Sequence, residues 1–188
     1  MPGEPETTDA MQSLIAAVQS AGEGLPPVHL WNPEYCGEMD MVIRRDGTWW
    51  HEGRRITRDR LTRLFSTILR KDEDGRHYLV TPVEKVPVEV ETAPFLAIRV
   101  DRIERERGPG LVFTTNMGDL VAAGPERPLW TAPDPQGEGR LPFVRVRGAL
   151  DALITRPVFY ELAEMSETRD GVVGVESEGA FFALGPAA

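Results

Sequence analysis

Residues 39–90, MDMVIRRDGTWWHEGRRITRDRLTRLFSTILRKDEDGRHYLVTPVEKVPVEV, constrain the fold more than any other stretch of this chain. Met39, Met41 and Ile43 alternate with Asp40, Val42 and Arg44, the period of a half-buried strand. Asp46-Gly47 tolerates the positive φ of a tight hairpin, and Thr48–His51 returns as the second strand. Glu52-Gly53 turns the chain into a third short strand over Arg54–Ile56. Thr57 is a good N-cap, and Asp59 complements the positive end of a helix. Leu61, Leu64, Phe65, Ile68 and Leu69 then follow helical spacing until Asp72–Gly75 closes the helix. Tyr78–Thr81 and Val86–Val90 read as strands, and Pro82 and Pro87 predict an edge position or a bulge there.

The flanks are read by the same rules. Residues 1–10 are polar and acidic and predict no structure. Asp9 caps a short helix over Ala10–Ala21, with Met11, Leu14, Ile15 and Val18 on one stripe and Gly22 and Gly24 ending it. Leu25–Gly37, with three prolines, predicts an extended arm without regular structure, anchored by Leu30, Trp31 and Tyr35. Beyond Pro94, Phe95–Arg105 predicts a long strand, with Leu96, Ile98 and Val100 on one face and a phase break before Ile103. Gly108-Pro109-Gly110 is read as a turn, and Leu111–Thr115 with Leu120–Ala123 as a hairpin. Residues 124–139 read as loop, interrupted by Leu129-Trp130, and Leu141–Arg147 as a strand. Pro157 opens a helix to about Glu167 with Val158, Phe159, Leu162 and Met165 inward. Val172–Glu176 and Ala180–Leu184 form a closing hairpin. The expectation is an α+β fold of two small lobes, each an antiparallel sheet on one main helix. The N-terminal arm takes residues 1–27, the first lobe 28–94 and the second 95–188.

Charge and cysteine usage narrow the function classes. The net charge of −9 argues against nucleic acid as partner. Within that acidic total, residues 44–77 carry ten Arg/Lys against six Asp/Glu, which leaves −13 for the remainder. Such a basic segment marks either an anion site or an ordinary solvated face. Cys36 is the single cysteine, which fits a reducing cytoplasm and excludes an internal disulfide. No signal peptide and no membrane-spanning run stand out. His29, His51 and His77 lack metal-ligand spacing, so no metal and no cofactor is expected. GxSxG, P-loop and GxGxxG patterns are all missing.

The runs DGTWWHEGRRI, LTRLFSTIL and DGRHYLVTPVEKVPVEV, with RVRGALDALITRPVFYEL and GAFFALG near the end, resemble one bacterial family. These are the uncharacterised proteins catalogued as domain of unknown function 1285. The resemblance spans about residues 28–186. It implies a two-part α+β structure with a repeated motif, the second part similar to pleckstrin-homology domains. It further implies a ligand site at the interface of the two parts, for a nucleotide-like molecule, and a role in signal transduction. It carries over no catalytic motif, and fold likeness alone assigns no activity.

Three groups of residues are candidates for binding. Trp49-Trp50-His51 with Arg54, Arg55 and Arg58 places indole faces and guanidinium groups beside a helix start, a combination suited to a planar anion. The competing reading sends one tryptophan into the core and the arginines into water. Glu84 and Lys85 either clamp a ligand or serve a structural ion pair, and as strand neighbours they point to opposite faces. Arg145 and Arg147 share one face of a strand and either line a cleft or coat a solvated surface. The expected function is non-enzymatic binding of a small anionic, nucleotide-like ligand between the lobes. The alternatives are a protein- or peptide-interaction adaptor, or an enzyme of unrecognised type.

Overall fold

The computed structural model describes residues 9–20 and 24–187, so the expectations for residues 1–8, for the helix end at Ala21 and for Gly22 lie outside the described residues, as do the side chains of Asp9, the expected cap, and of Ala10, Ser20 and Tyr35. The chain divides into two units, Met1–Arg44 with Thr48–Glu91, and Arg45–Gly47 with Thr92–Ala188. The fold is α+β.

The first unit opens with helix α1 (Asp9–Ser20), whose Met11, Leu14 and Val18 are buried. A 3₁₀ turn at Val28–Leu30 leads to β1 (Tyr35–Cys36). The arm thus does contain regular structure, because β1 gains backbone partners in β7 that no local signal shows. β2 (Met41–Ile43), β3 (Trp49–His51) and β4 (Arg54–Arg55) form a meander. Helix α2 (Asp59–Thr67) follows, then β5 (Leu69–Lys71), β6 (His77–Val80) and β7 (Glu84–Val90). The sheet runs β4-β3-β2-β7-β6-β5, with β1 also paired to β7. Met41, Ile43, Trp49, Leu79, Val86, Val88 and Phe65 make its core.

Three expectations are corrected here. The N-cap of α2 is Arg58, not Thr57, and no side chain caps it. The helix also ends earlier than its spacing predicts. Ser66 and Thr67 donate to the carbonyls of Arg63 and Leu64, at 2.7 and 2.6 Å, competing with the helical pattern. The Val80 N–H then takes the Ile68 carbonyl at 2.9 Å, and Leu69 is buried as a strand residue opposite Leu79. Asp72–Gly75 is therefore the turn of a β-hairpin, not a helix stop. Finally, β7 is central and not an edge. Pro87 is tolerated because it stands at a break on one side of β7: Glu84 and Lys85 pair with β1, whereas Glu89 and Val90 pair with β2.

The second unit begins with β8 (Phe95–Arg105), β9 (Gly108–Thr115) and β10 (Leu120–Ala122). It continues with β11 (Leu129–Pro133), β12 (Arg140–Arg147), β13 (Leu150–Ile154) and α3 (Arg156–Glu164). β14 (Glu167–Arg169), β15 (Val172–Ser177) and β16 (Ala180–Pro186) form a separate three-stranded sheet. The register of β8 shifts between Ala97 and Arg99, so Phe95, Ala97 and Val100 are buried while Ile98 is exposed. The phase break thus falls earlier than expected. Gly108-Pro109-Gly110 lies inside β9 rather than in a turn. β13 carries no strand signal in the sequence, because Ala152, Leu153 and Ile154 are buried in succession and show no alternation. Helix α3 stops at Glu164, short of Glu167, which opens β14.

The six-stranded sheet runs β10-β9-β8-β13-β12-β11, the same order as β4-β3-β2-β7-β6-β5 in the first unit. Each consists of two three-stranded meanders joined by a parallel pair of their first and last strands, β2 with β7 and β8 with β13. The Glu91 N–H donates to the Ile43 carbonyl at the end of one parallel pair, and the Thr155 N–H donates to the Ala97 carbonyl at the end of the other. The units differ in where the helix is placed. α2 joins the two meanders in the first unit, whereas α3 follows both in the second. These parallel pairs make each main sheet mixed, not purely antiparallel.

Candidate functional site

Strand alternation decides which tryptophan can meet a ligand. Trp49 is 1% exposed and stacks on Phe65 with ring centroids 6.3 Å apart. Its indole N–H has no hydrogen-bond partner among the described residues. Trp50 points to the other face of the sheet. Its indole N–H donates to Thr48 Oγ1 at 2.8 Å, and the Arg44 guanidinium lies 3.6 Å from its ring centroid. Arg55 sits opposite Trp50 on exposed β4. His51 pairs with Arg54 across the same strands, and its Nδ1 lies 3.0 Å from the Asp40 carbonyl oxygen. Trp49 is thus a core residue, and of the two rings only that of Trp50 lies outside the core.

Glu84 and Lys85 belong to a structural network. The Glu84 N–H donates to Thr81 Oγ1 at 3.2 Å, closing the β6–β7 hairpin. Lys85 Nζ donates to Asp72 at 3.0 Å and lies 4.4 Å from the Tyr78 ring centroid. Arg70 binds the same carboxylate through two nitrogens, at 2.5 and 3.1 Å. It also donates to the carbonyls of Val28 and Trp31, both at 2.7 Å, which pins the 3₁₀ turn to β5. The Arg70 hydrogen bond, assisted by that of Lys85, holds Asp72 below the usual carboxylate range. The bond to Asp72 in turn raises the Lys85 ammonium.

Arg145 and Arg147 are likewise paired. Arg145 Nε donates to Asp151 at 2.5 Å across β12 and β13. Arg147 donates to Asp119 at 2.6 Å, and its guanidinium lies 5.0 Å from the Phe95 ring centroid. Asp119 also accepts from the Thr115 hydroxyl at 2.9 Å. These pairs brace the second unit's sheet.

Arg58 lies elsewhere, in a groove of about 690 Å³ lined by α1 and α2. Ile15, Leu61 and Leu64 form its apolar wall, Gln19 and Thr67 add polar groups, and Arg58, Arg60 and Arg63 supply positive charge. All three arginines are exposed, whereas Leu61 and Leu64 are half-buried. Arg60 and Arg63 make no ion pair among the described residues. No carboxylate lines the groove among the described residues. The sequence reading reached Arg58 but missed Arg60 and Arg63. The available signal is their spacing of three residues alternating with Leu61 and Leu64, which sets cations along one edge of the helix's apolar stripe. The groove's other wall comes from α1 and is tertiary.

The N-terminal domain of the domain of unknown function DUF1285 matches residues 26–93, and its C-terminal domain matches residues 94–184. The chain belongs to the DUF1285 family. A crystal structure of a DUF1285 protein from Silicibacter pomeroyi DSS-3 shares 45% identity, covering 92% of this chain and 94% of that one, with a TM-score of 0.85. A second DUF1285 structure, from Shewanella baltica OS155, is 23% identical over 67% of this chain and 91% of its own, with a TM-score of 0.53. That second likeness bears on the fold alone. No curated protein matches this DUF1285 chain. Among its described residues, no helix is long and apolar enough to cross a membrane, and no cluster of His, Cys, Asp or Glu is arranged to hold a metal ion.

Proposed function

We propose that this protein is a non-enzymatic binder of a small organic anion, taken up by the α1–α2 groove, and that it serves signal transduction in the cytoplasm. The observation that carries this reading is the groove's composition. Three guanidinium groups and no carboxylate, among the described residues, line one concavity in a protein of net charge −9. Arginine pairs with carboxylate or phosphate through a planar fork of donors. A volume of about 690 Å³ falls in the size range of small-molecule pockets. A thermal-shift panel of carboxylates, alkyl phosphates and nucleoside monophosphates tests the proposal. An anion at about 100 times its dissociation constant should stabilise the protein by about 2.7 kcal/mol. The response should vanish in Arg60→Ala/Arg63→Ala. Flat melting curves at millimolar anion, or an unchanged response in the double variant, would reject it.

A second reading rests on Trp50, whose ring is overlaid by Arg44 and faces Arg55 across the strands. That outward pair suits a planar, nucleotide-like anion. Response to AMP lost in Trp50→Leu but kept in Arg60→Ala/Arg63→Ala would favour it over the groove. A saturable protein partner, with no anion response, would point instead to an adaptor.

A further inference from the structure

We infer that the ligand of the α1–α2 groove is a free single-chain amphiphile, an acyl or alkyl chain ending in a phosphate or carboxylate. This rests on the anion-binding reading above and adds the chemistry of the rest of the molecule. The lining divides by character. Ile15 from α1 and Leu61 and Leu64 from α2 line the groove with hydrocarbon, and Arg58, Arg60 and Arg63 line it with positive charge. No aromatic ring lines the groove among the described residues, so a nucleobase would find no stacking partner there. A compact polar anion such as inorganic phosphate would satisfy the guanidinium groups but leave the apolar wall in water. A chain with one anionic end answers both halves of the lining. The α2 side of the groove runs from Arg58 to Thr67, about 13 Å at helical rise, with its hydrocarbon at Leu61 and Leu64, so a chain can lie along it. The bulk charge of −9 disfavours docking on an anionic bilayer, which favours a monomeric amphiphile over a membrane surface.

Calorimetric titration of the full chain with inorganic phosphate and with butyl, hexyl, octyl and decyl phosphate, each below its micelle concentration, tests this. Affinity should rise about fourfold for each methylene that enters the groove. Arg60→Ala/Arg63→Ala should weaken every member at least tenfold without changing the chain-length slope. Leu64→Asn or Ile15→Gln should flatten the slope, with the loss of affinity relative to wild type growing from butyl to decyl phosphate. Both sites are half-buried, and circular dichroism verifies that each variant folds. A flat series in the wild type, with arginine-dependent binding of phosphate itself, overturns the amphiphile and leaves the anion reading standing. No binding of any member removes both. Decanol binding as tightly as decyl phosphate, or binding only to phosphatidylglycerol vesicles, also overturns the inference.

Discussion

The Ser177 hydroxyl stands between the Leu111 N–H and the Ala123 carbonyl, accepting from the first at 2.8 Å and donating to the second at 2.7 Å. Leu111 and Ala123 are already joined by the reverse bond, from the Ala123 N–H to the Leu111 carbonyl. Ser177, at the end of β15, therefore saturates the remaining pair and ties the three-stranded sheet to the β9–β10 edge. It is fully buried, so water cannot substitute for it without rearrangement.

Ser177→Ala leaves a buried donor and a buried acceptor unpaired. Loss of about 1–3 kcal/mol is expected, read as a lower urea midpoint with unchanged slope. A midpoint equal to wild type would show that the hydroxyl contributes nothing to the joint.

Asp72 gives an acid-dependent contribution. Its carboxyl is held below the usual range, chiefly by the Arg70 hydrogen bond. The stability it adds is complete above its unfolded value, about 3.9, and is lost as pH falls through the lower folded value. Asp72→Asn should be clearly less stable than wild type at pH 7. The gap should narrow as denaturation is repeated toward pH 3. A constant gap across that range would mean the charge of Asp72 is not what matters.

Trp49 separates packing from hydrogen bonding. Its indole N–H is buried without a partner among the described residues, so replacing it forfeits no hydrogen bond. Trp49→Phe should cost less than about 2 kcal/mol, while Trp49→Ala should cost about 3–5 kcal/mol through the cavity it opens against Phe65. Equal costs for the two variants, from calorimetric melting, would contradict this account.

Gly174 is required by space, not by backbone conformation. A Cβ there would meet the Phe182 carbonyl oxygen at 2.3 Å and the Phe181 ring at 2.6 Å. The cause is the shift in β15–β16 register between Val173 and Gly174. Gly174→Ala should cost about 3 kcal/mol or more, beyond ordinary overpacking, and lower the melting temperature sharply. Gly171→Ala, with open space but φ +77, isolates backbone strain and should cost about 1 kcal/mol.

Local chemistry alone makes much of this protein legible in its sequence. The alternation at Met41 and Ile43, the Asp46-Gly47 turn and the closing hairpin about Glu178-Gly179 are written in neighbouring residues, because a strand's period and a turn's φ are short-range properties. The same holds for the family, whose motifs are contiguous. Tertiary structure alone decided what depends on partners distant in sequence. Leu69 has helical spacing but becomes a strand residue because Leu79 offers a ladder. Pro87 occupies a central strand because two separate segments, β1 and β2, share one side of β7. For Arg145, Arg147 and Lys85 the sequence leaves open a ligand or a structural role, and only the fold supplies their carboxylate partners, Asp151, Asp119 and Asp72. The α1–α2 groove exists only because Ile15 is brought beside Leu61 and Leu64, across a separation that no periodicity in either helix encodes.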